Sequence, residues 1–183
     1  GQHHEEVQFL LNKNECTTFF TDTELVLAFR SNEKIGELEN IDSSSIVNSA
    51  LNNLSEYKVN VLRINFEDSN KIPQIIGKNE FNCKINYFKG DNKSTWKNCI
   101  PIYEKLLYKE IYPGIDLLYY GKQTDMNLEF IVQPNKNIKC IKLNFECADN
   151  IKIDEDGNLI IRFDDKSLKI LKLEAVQEEN ENK

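Results

Sequence analysis

The sequence predicts an all-β protein, mainly antiparallel, folded as a two-sheet β-sandwich of jelly-roll-like type with one short helix. Three observations lead there. Apolar residues recur at every second position in about a dozen short segments. Turn signals such as Pro113-Gly114 and Asp156-Gly157 separate those segments at the spacing of sandwiches and barrels. A single stretch carries helical spacing, and no repeat of about 20–50 residues marks a solenoid or propeller. With 183 residues, the chain is expected to form one domain, 1–183, large enough to bury a core without a metal or disulfide framework.

The first elements form a meander. In "VQFLLNKNECTTFFTDTELVLAFR", Val7, Phe9 and Leu11 alternate, Asn12 to Asn14 supply a turn, and Leu25, Leu27 and Phe29 alternate again, giving three short strands. Residues 31–57 read as an insert rich in Ser, Asn and Glu without a strand pattern. Within it Asp42 or Ser43 is an N-cap, and Ile46, Val47, Ala50, Leu51 and Leu54 make a helical stripe expected to lie on the sheet.

Alternation resumes at Lys58. "KVNVLRINF" is a strand, Pro73 and Gly77 interrupt, and "FNCKINYFKGDN" is a further strand ending in a Gly-Asp turn. "CIPIYEKLLY" reads as strand too, because Pro101 and Pro113-Gly114 leave little room for a helix. Two hairpins follow. "GIDLLYYGKQTDMNLEFIVQ" places Leu118, Tyr120, Leu128, Phe130 and Val132 on one face if its loop spans Gly121 to Asp125. "NIKIDEDGNLIIRF" turns at Asp156-Gly157, and "SLKILKL" adds one more strand.

Charge and composition exclude several function classes. The net charge of -7 and the scattering of single lysines argue against a nucleic-acid partner, which needs clustered cations. No run reaches the roughly 18 apolar residues of a transmembrane segment, and residues 1–30 lack a basic start followed by an apolar block. The end "EAVQEENENK" reads as a solvated tail. Cys16, Cys83, Cys99, Cys140 and Cys147 lack C-x-x-C spacing, and His3 and His4 sit together at the N-terminus, so no metal site and no cofactor are expected. The thiols are read as structural, with one or two bridges as the alternative.

Candidate chemistry concentrates around "EIYPGIDLLYYG". Pro113-Gly114 suits the centre of a type II turn. Asp116 stands where a carboxylate accepts hydrogen bonds from turn amides, as a structural brace. A catalytic pairing of Asp116 with Glu129 would need carboxylates roughly 5–9.5 Å apart across a cleft, and the assumed hairpin sets them on opposite faces. Exposed aromatics are the second candidate. Trp96, Tyr103 and Tyr119 could stack on a ligand such as a sugar, against the ordinary role of strand aromatics as packing residues. "DEDGN" at 154–158 has the oxygen-rich look of a calcium loop but lacks the distal glutamate, so it reads as a hairpin turn. No phosphate-binding or nucleophile-elbow motif occurs.

The run from Ile85 to Gly121 and the run from Leu128 to Ile161 resemble a domain of unknown function in bacterial and archaeal surface proteins, one that commonly precedes SBBP beta-propeller repeats. Asn86, Tyr87, Phe88, Gly90, Asp91 and Trp96 take the places of the family's Asn-Tyr-Phe, turn and Trp. Tyr112, Pro113, Gly114, Ile115, Asp116, Tyr119, Tyr120 and Gly121 match its most specific motif. The opening strands fit too, so the likeness spans nearly all of the chain except the insert. Two departures stand out. Pro134-Asn135-Lys136-Asn137 replaces the family's Pro-Gly-Ala turn, with Asn serving for Gly. "LEAVQEENENK" looks like a point where such domains continue with further strands, so a longer protein is expected.

The resemblance implies an extracellular or cell-surface location and supplies no catalytic residues. The expectation is a non-catalytic surface module for binding, adhesion or spacing. Its partners would be neighbouring domains of the same polypeptide, or a surface glycan or protein. The alternatives are a polysaccharide-active domain and a docking domain for a neighbouring propeller.

Overall fold

The computed structural model describes residues 6–13, 16–34, 57–88, 93, 96–122, 125–172 and 174–177. The first sheet holds β1 (Phe9–Lys13), β2 (Cys16–Phe20), β3 (Glu24–Lys34) and β4 (Tyr57–Phe66) as a meander, closed by β9 (Leu143–Glu146) on β4. The second holds β5 (Gln74–Tyr87), β6 (Lys97–Tyr112), β7 (Ile115–Lys122), β8 (Asp125–Val132), β10 (Asn150–Ile153), β11 (Leu159–Phe163) and β12 (Lys166–Ile170). Its order is β10-β11-β12-β8-β7-β6-β5, and β13 (Glu174–Gln177) also pairs with β8. Pairing is antiparallel except where β12 and β13 run parallel to β8. This is the all-β, two-sheet sandwich that the alternating segments predict. The predicted helix lies outside the described residues.

The core forms where the two sheets face each other. Phe20, Leu25, Leu27, Leu62, Ile64 and Phe66 come from the first sheet. From the second come Tyr108, Ile115, Leu117, Phe130, Ile161, Phe163 and Ile170, all buried in one cluster. Each aliphatic or phenylalanine side chain among them contributes roughly 1.5–3 kcal/mol of hydrophobic stabilisation. A smaller cluster of Phe19, Val26 and Ala28 lies on the other side of the first sheet, with Val7, Val59 and Val61 against it.

Four details depart from the sequence reading. Gly77 does not interrupt a strand: β5 runs through it, because the ring of Tyr103 occupies the space that a Cβ would take. The β7–β8 loop is shorter than assumed, since Lys122 pairs with Asp125. That shift by one residue exchanges the faces of β7. Leu117 and Tyr119, rather than Leu118 and Tyr120, join Leu128, Phe130 and Val132 in the core. Within the presumed insert, β3 extends to Lys34, and part of the presumed tail is β13, whose backbone pairs with Glu129 to Val132.

The β5–β6 hairpin positions the site. β5 spans 14 residues and β6 spans 16, whereas the β7 ladder on β6 begins only at Lys105. The far half of the hairpin therefore extends past β7 as a two-stranded ribbon. Pro101 is accommodated there because that stretch of β6 has β5 as its only ladder partner among the described residues. Positive φ at Asn79 and Cys99, together with register shifts between Glu80 and Lys84 and between Ile85 and Tyr87, twist the ribbon.

Candidate functional site

A cleft of about 680 Å³ lies between β1 and the ribbon. On one side it is lined by Val7 to Leu11 and Phe20. The other side is Ile100 to Leu106 of β6, with Ile85 and Tyr87 beyond and Tyr119 and Gly121 at one end. The walls are chiefly aliphatic and aromatic. Two edge-to-face pairs brace them. Phe9 meets Tyr103 with ring centroids 6.0 Å apart, and Phe20 meets Tyr119 at 4.7 Å. Each pair joins one sheet to the other at the cleft wall.

Two of the three aromatic candidates thus share one site. Tyr103 is half-buried against Gly77 and Phe9, and Tyr119 is nearly buried, its hydroxyl pushed to a higher pKa by desolvation first and by the neighbouring Cys16 second. Trp96 is elsewhere, at the far end of the ribbon, edge-on to Phe88 at 5.1 Å and with the Lys93 ammonium 5.9 Å from its ring centroid. Phe9, Phe20, Ile100 and Ile102 were missed as site residues. Only the stacking of the two sheets brings them together.

The family-like motif is mostly framework. The Tyr112 hydroxyl donates to the Lys142 carbonyl at 3.0 Å and accepts from the Lys142 amide at 3.3 Å, tying the end of β6 to the segment before β9. Gly114 has φ of 73°, the conformation that glycine supplies to the Pro113-Gly114 turn, and the flexible Lys136 side chain lies over it. Asn135 takes φ of 64°, the conformation that lets Asn stand in for Gly. Asn86 accepts from the Cys99 amide at 2.9 Å across the ribbon. Tyr120 carries the Lys105 ammonium 5.0 Å above its ring.

Asp116 is engaged on both oxygens. Oδ1 accepts from the Glu110 amide at 2.7 Å and Oδ2 from the Lys109 ammonium at 2.6 Å. The assumed separation from Glu129 is corrected by the register: Glu129 is opposite Leu118, two places from Asp116, so both carboxylates stand on the outer face. Asp154 accepts from the amides of Asp156 and Asn158 and from the Asn158 side chain, which closes the "DEDGN" loop as a turn. No group of three or more His, Cys, Asp or Glu suited to a metal occurs among the described residues.

All five cysteines are free. Cys83, Cys99 and Cys147 are exposed, and only Cys16 and Cys140 are partly buried, so the expectation of packed thiols is met at two positions alone. Burial pushes the Cys16 thiol up to about 11 against the smaller pull of Thr18 and Lys13, a protonated state that suppresses nucleophilicity. No helix among the described residues is long and apolar enough to cross a membrane.

Two facing sheets with an apolar inter-sheet cleft and a projecting ribbon define a β-sandwich module. Residues 1–183 match the family described as Domain of unknown function (DUF7948), and the chain belongs to it. Nothing among curated proteins or solved structures matches it.

Proposed function

We propose that this domain is a non-catalytic binding module that uses the cleft between β1 and the ribbon to hold an apolar partner. The observation behind it is the cleft itself. Phe9, Phe20, Tyr103 and Tyr119 brace one another there, and Lys97, Lys105 and Glu104 supply the charged side chains of the lining. A cleft of about 680 Å³ falls within the common range of roughly 300–1,000 Å³ for binding sites. Sugar recognition would call for polar groups converging beside an aromatic face, whereas these walls are mainly hydrocarbon. The outward Asp116 is occupied by Lys109 and the Glu110 amide, which favours a bracing role over acid–base work. A place at the cell surface and neighbouring SBBP repeats are readings that rest on the likeness of the Tyr112–Gly121 motif.

The test is binding of an anilinonaphthalene sulfonate dye to the folded 183-residue chain. Saturable fluorescence enhancement is expected, reduced at least about tenfold in affinity by Ile100→Lys or Leu10→Lys, as expected when a charge enters an apolar contact. Both positions are partly exposed, Ile100 at 36% and Leu10 at 40%, so the variants should fold. Dye binding that is absent, or untouched by either charge, would refute the reading.

A further inference from the structure

The geometry points to the occupant of this cleft: an extended strand from another polypeptide, with alternating apolar side chains and acidic flanks, added to the free edge of β1. This rests on the cleft being a binding site and goes further by naming what binds.

Two observations give the shape of the partner. A pocket over the face of a sheet touches every second residue of a strand, because side chains alternate. Here Val7 to Leu11 line the cleft without a gap, and so do Ile100 to Glu104, the part of β6 that β7 does not pair. The cleft therefore runs along strand edges. Among the described residues those edges are open: β1 ends the first sheet with β2 as its single ladder partner, and β6 before Lys105 pairs with β5 alone. An unpaired edge is a template for another strand, and the backbone supplies the affinity while alternate pockets select side chains.

The two edges are not equivalent. The β6 stretch carries Lys97 and Pro101, and proline removes a backbone donor where a partner would pair. From Val7 to Leu11 the β1 edge carries neither a proline nor a charge. A strand laid on β1 would turn one set of side chains toward Ile100, Ile102 and Tyr103, so that β6 serves as the apolar wall.

Charge gives the flanks. Between Gln74 and Tyr112 there are seven lysines against four acids, in a chain whose net charge is -7. The hairpin forming the wall is thus net cationic within an acidic protein, with Lys97 and Lys105 beside a single acid, Glu104, in the cleft lining. Acidic residues flanking the apolar core of a strand would meet this field and speed association.

The experiment selects from a displayed library of random peptides on the immobilised 183-residue domain, followed by synthesis of the enriched sequences. Support would be enrichment of apolar residues at alternating positions with Asp or Glu beside them. The synthetic peptides should slow amide exchange of Phe9 to Asn12 by about tenfold or more, and lose about tenfold in affinity on Leu10→Lys. Several outcomes would overturn the inference: no enrichment, enrichment without alternation, protection confined to β6, or concentration-dependent dimerisation of the chain through this cleft. The dye separates the two ideas. If dye binds the cleft and strands do not, this inference fails alone; if neither binds, the binding-site reading fails with it.

Discussion

The Tyr103 ring lies on Gly77, filling the volume that any other residue would need for its Cβ, so that a side chain at position 77 would collide with the inner carbons of the ring. Glycine weakens a strand by roughly 0.5–1 kcal/mol relative to Ala, and the covering ring offsets this by shielding the bare backbone. Gly77→Ala is therefore expected to destabilise, by about 1–3 kcal/mol, as overpacking does. Tyr103→Ala should cost stability as well, and the double variant should lose less than the sum of the two, because the clash disappears with the ring. Urea unfolding of all four proteins gives the cycle, and strict additivity would contradict the contact.

Asp116 holds an irregularity in place. Between Tyr108 and Tyr112 the β6–β7 register shifts, and Glu110 there takes φ of 48°, a conformation that non-glycine residues seldom adopt. The Glu110 amide donates to Asp116 Oδ1 at 2.7 Å. Asp116→Ala should cost about 1.5–3 kcal/mol, the range for a hydrogen bond to a charged group. Lys109→Met should cost under about 1 kcal/mol, because the lysine is half exposed and its ion pair is screened. Equal losses in urea unfolding would show that the ion pair, rather than the amide bond, carries the effect.

How much of this was legible depends on the range of the interaction. The strands around Phe9, Leu27 and Val61 were readable because alternation records burial locally, and Pro113-Gly114 and Asp156-Gly157 were readable because turns are local too. Gly77 was misread as a break, since its tolerance comes from a ring on the next strand. The faces of Tyr119 and Tyr120 were exchanged because they hang on the loop length after Gly121, where one residue reverses every side chain. The cleft was invisible for a larger reason: Phe9 and Tyr103 belong to different sheets, and no pattern along the chain encodes how sheets stack. Tyr103 and Tyr119 could be named as aromatics of interest without any sign that they share a site.

Two buried tyrosines on β6 should respond oppositely to the same change. Tyr108 Oη is buried without a hydrogen-bond partner among the described residues, and desolvation, reinforced by the charge of Asp22, holds its hydroxyl protonated. Phenylalanine keeps the edge-on contact with Phe66, at 5.9 Å between centroids, and removes the unsatisfied group. Tyr108→Phe is expected to stabilise by about 1 kcal/mol, since a lone buried hydroxyl costs roughly 1–3 kcal/mol. Tyr112→Phe deletes both bonds to Lys142 and should destabilise by about 1–2 kcal/mol. Urea midpoints moving in the same direction for both would sink the argument.

The turn at Asp154 gives the acid limb of stability a defined contributor. Its carboxyl is held below the ordinary aspartate value, first by the Asn158 side chain, then by the Asn158 amide and by Lys169, with desolvation opposing. A carboxyl depressed in the folded state binds fewer protons there than in the unfolded chain. Its contribution is therefore fully present above the unfolded value near pH 4, and is lost as pH falls through the lower folded value. Asp154→Asn removes that titration while retaining an acceptor for the turn amides. The natural chain is expected to lose more stability than Asp154→Asn between about pH 5 and pH 3, the two curves converging as the carboxyl is protonated. Thermal unfolding across that range is the measurement; parallel curves would mean that Asp154 is held no more tightly in the fold than in the open chain.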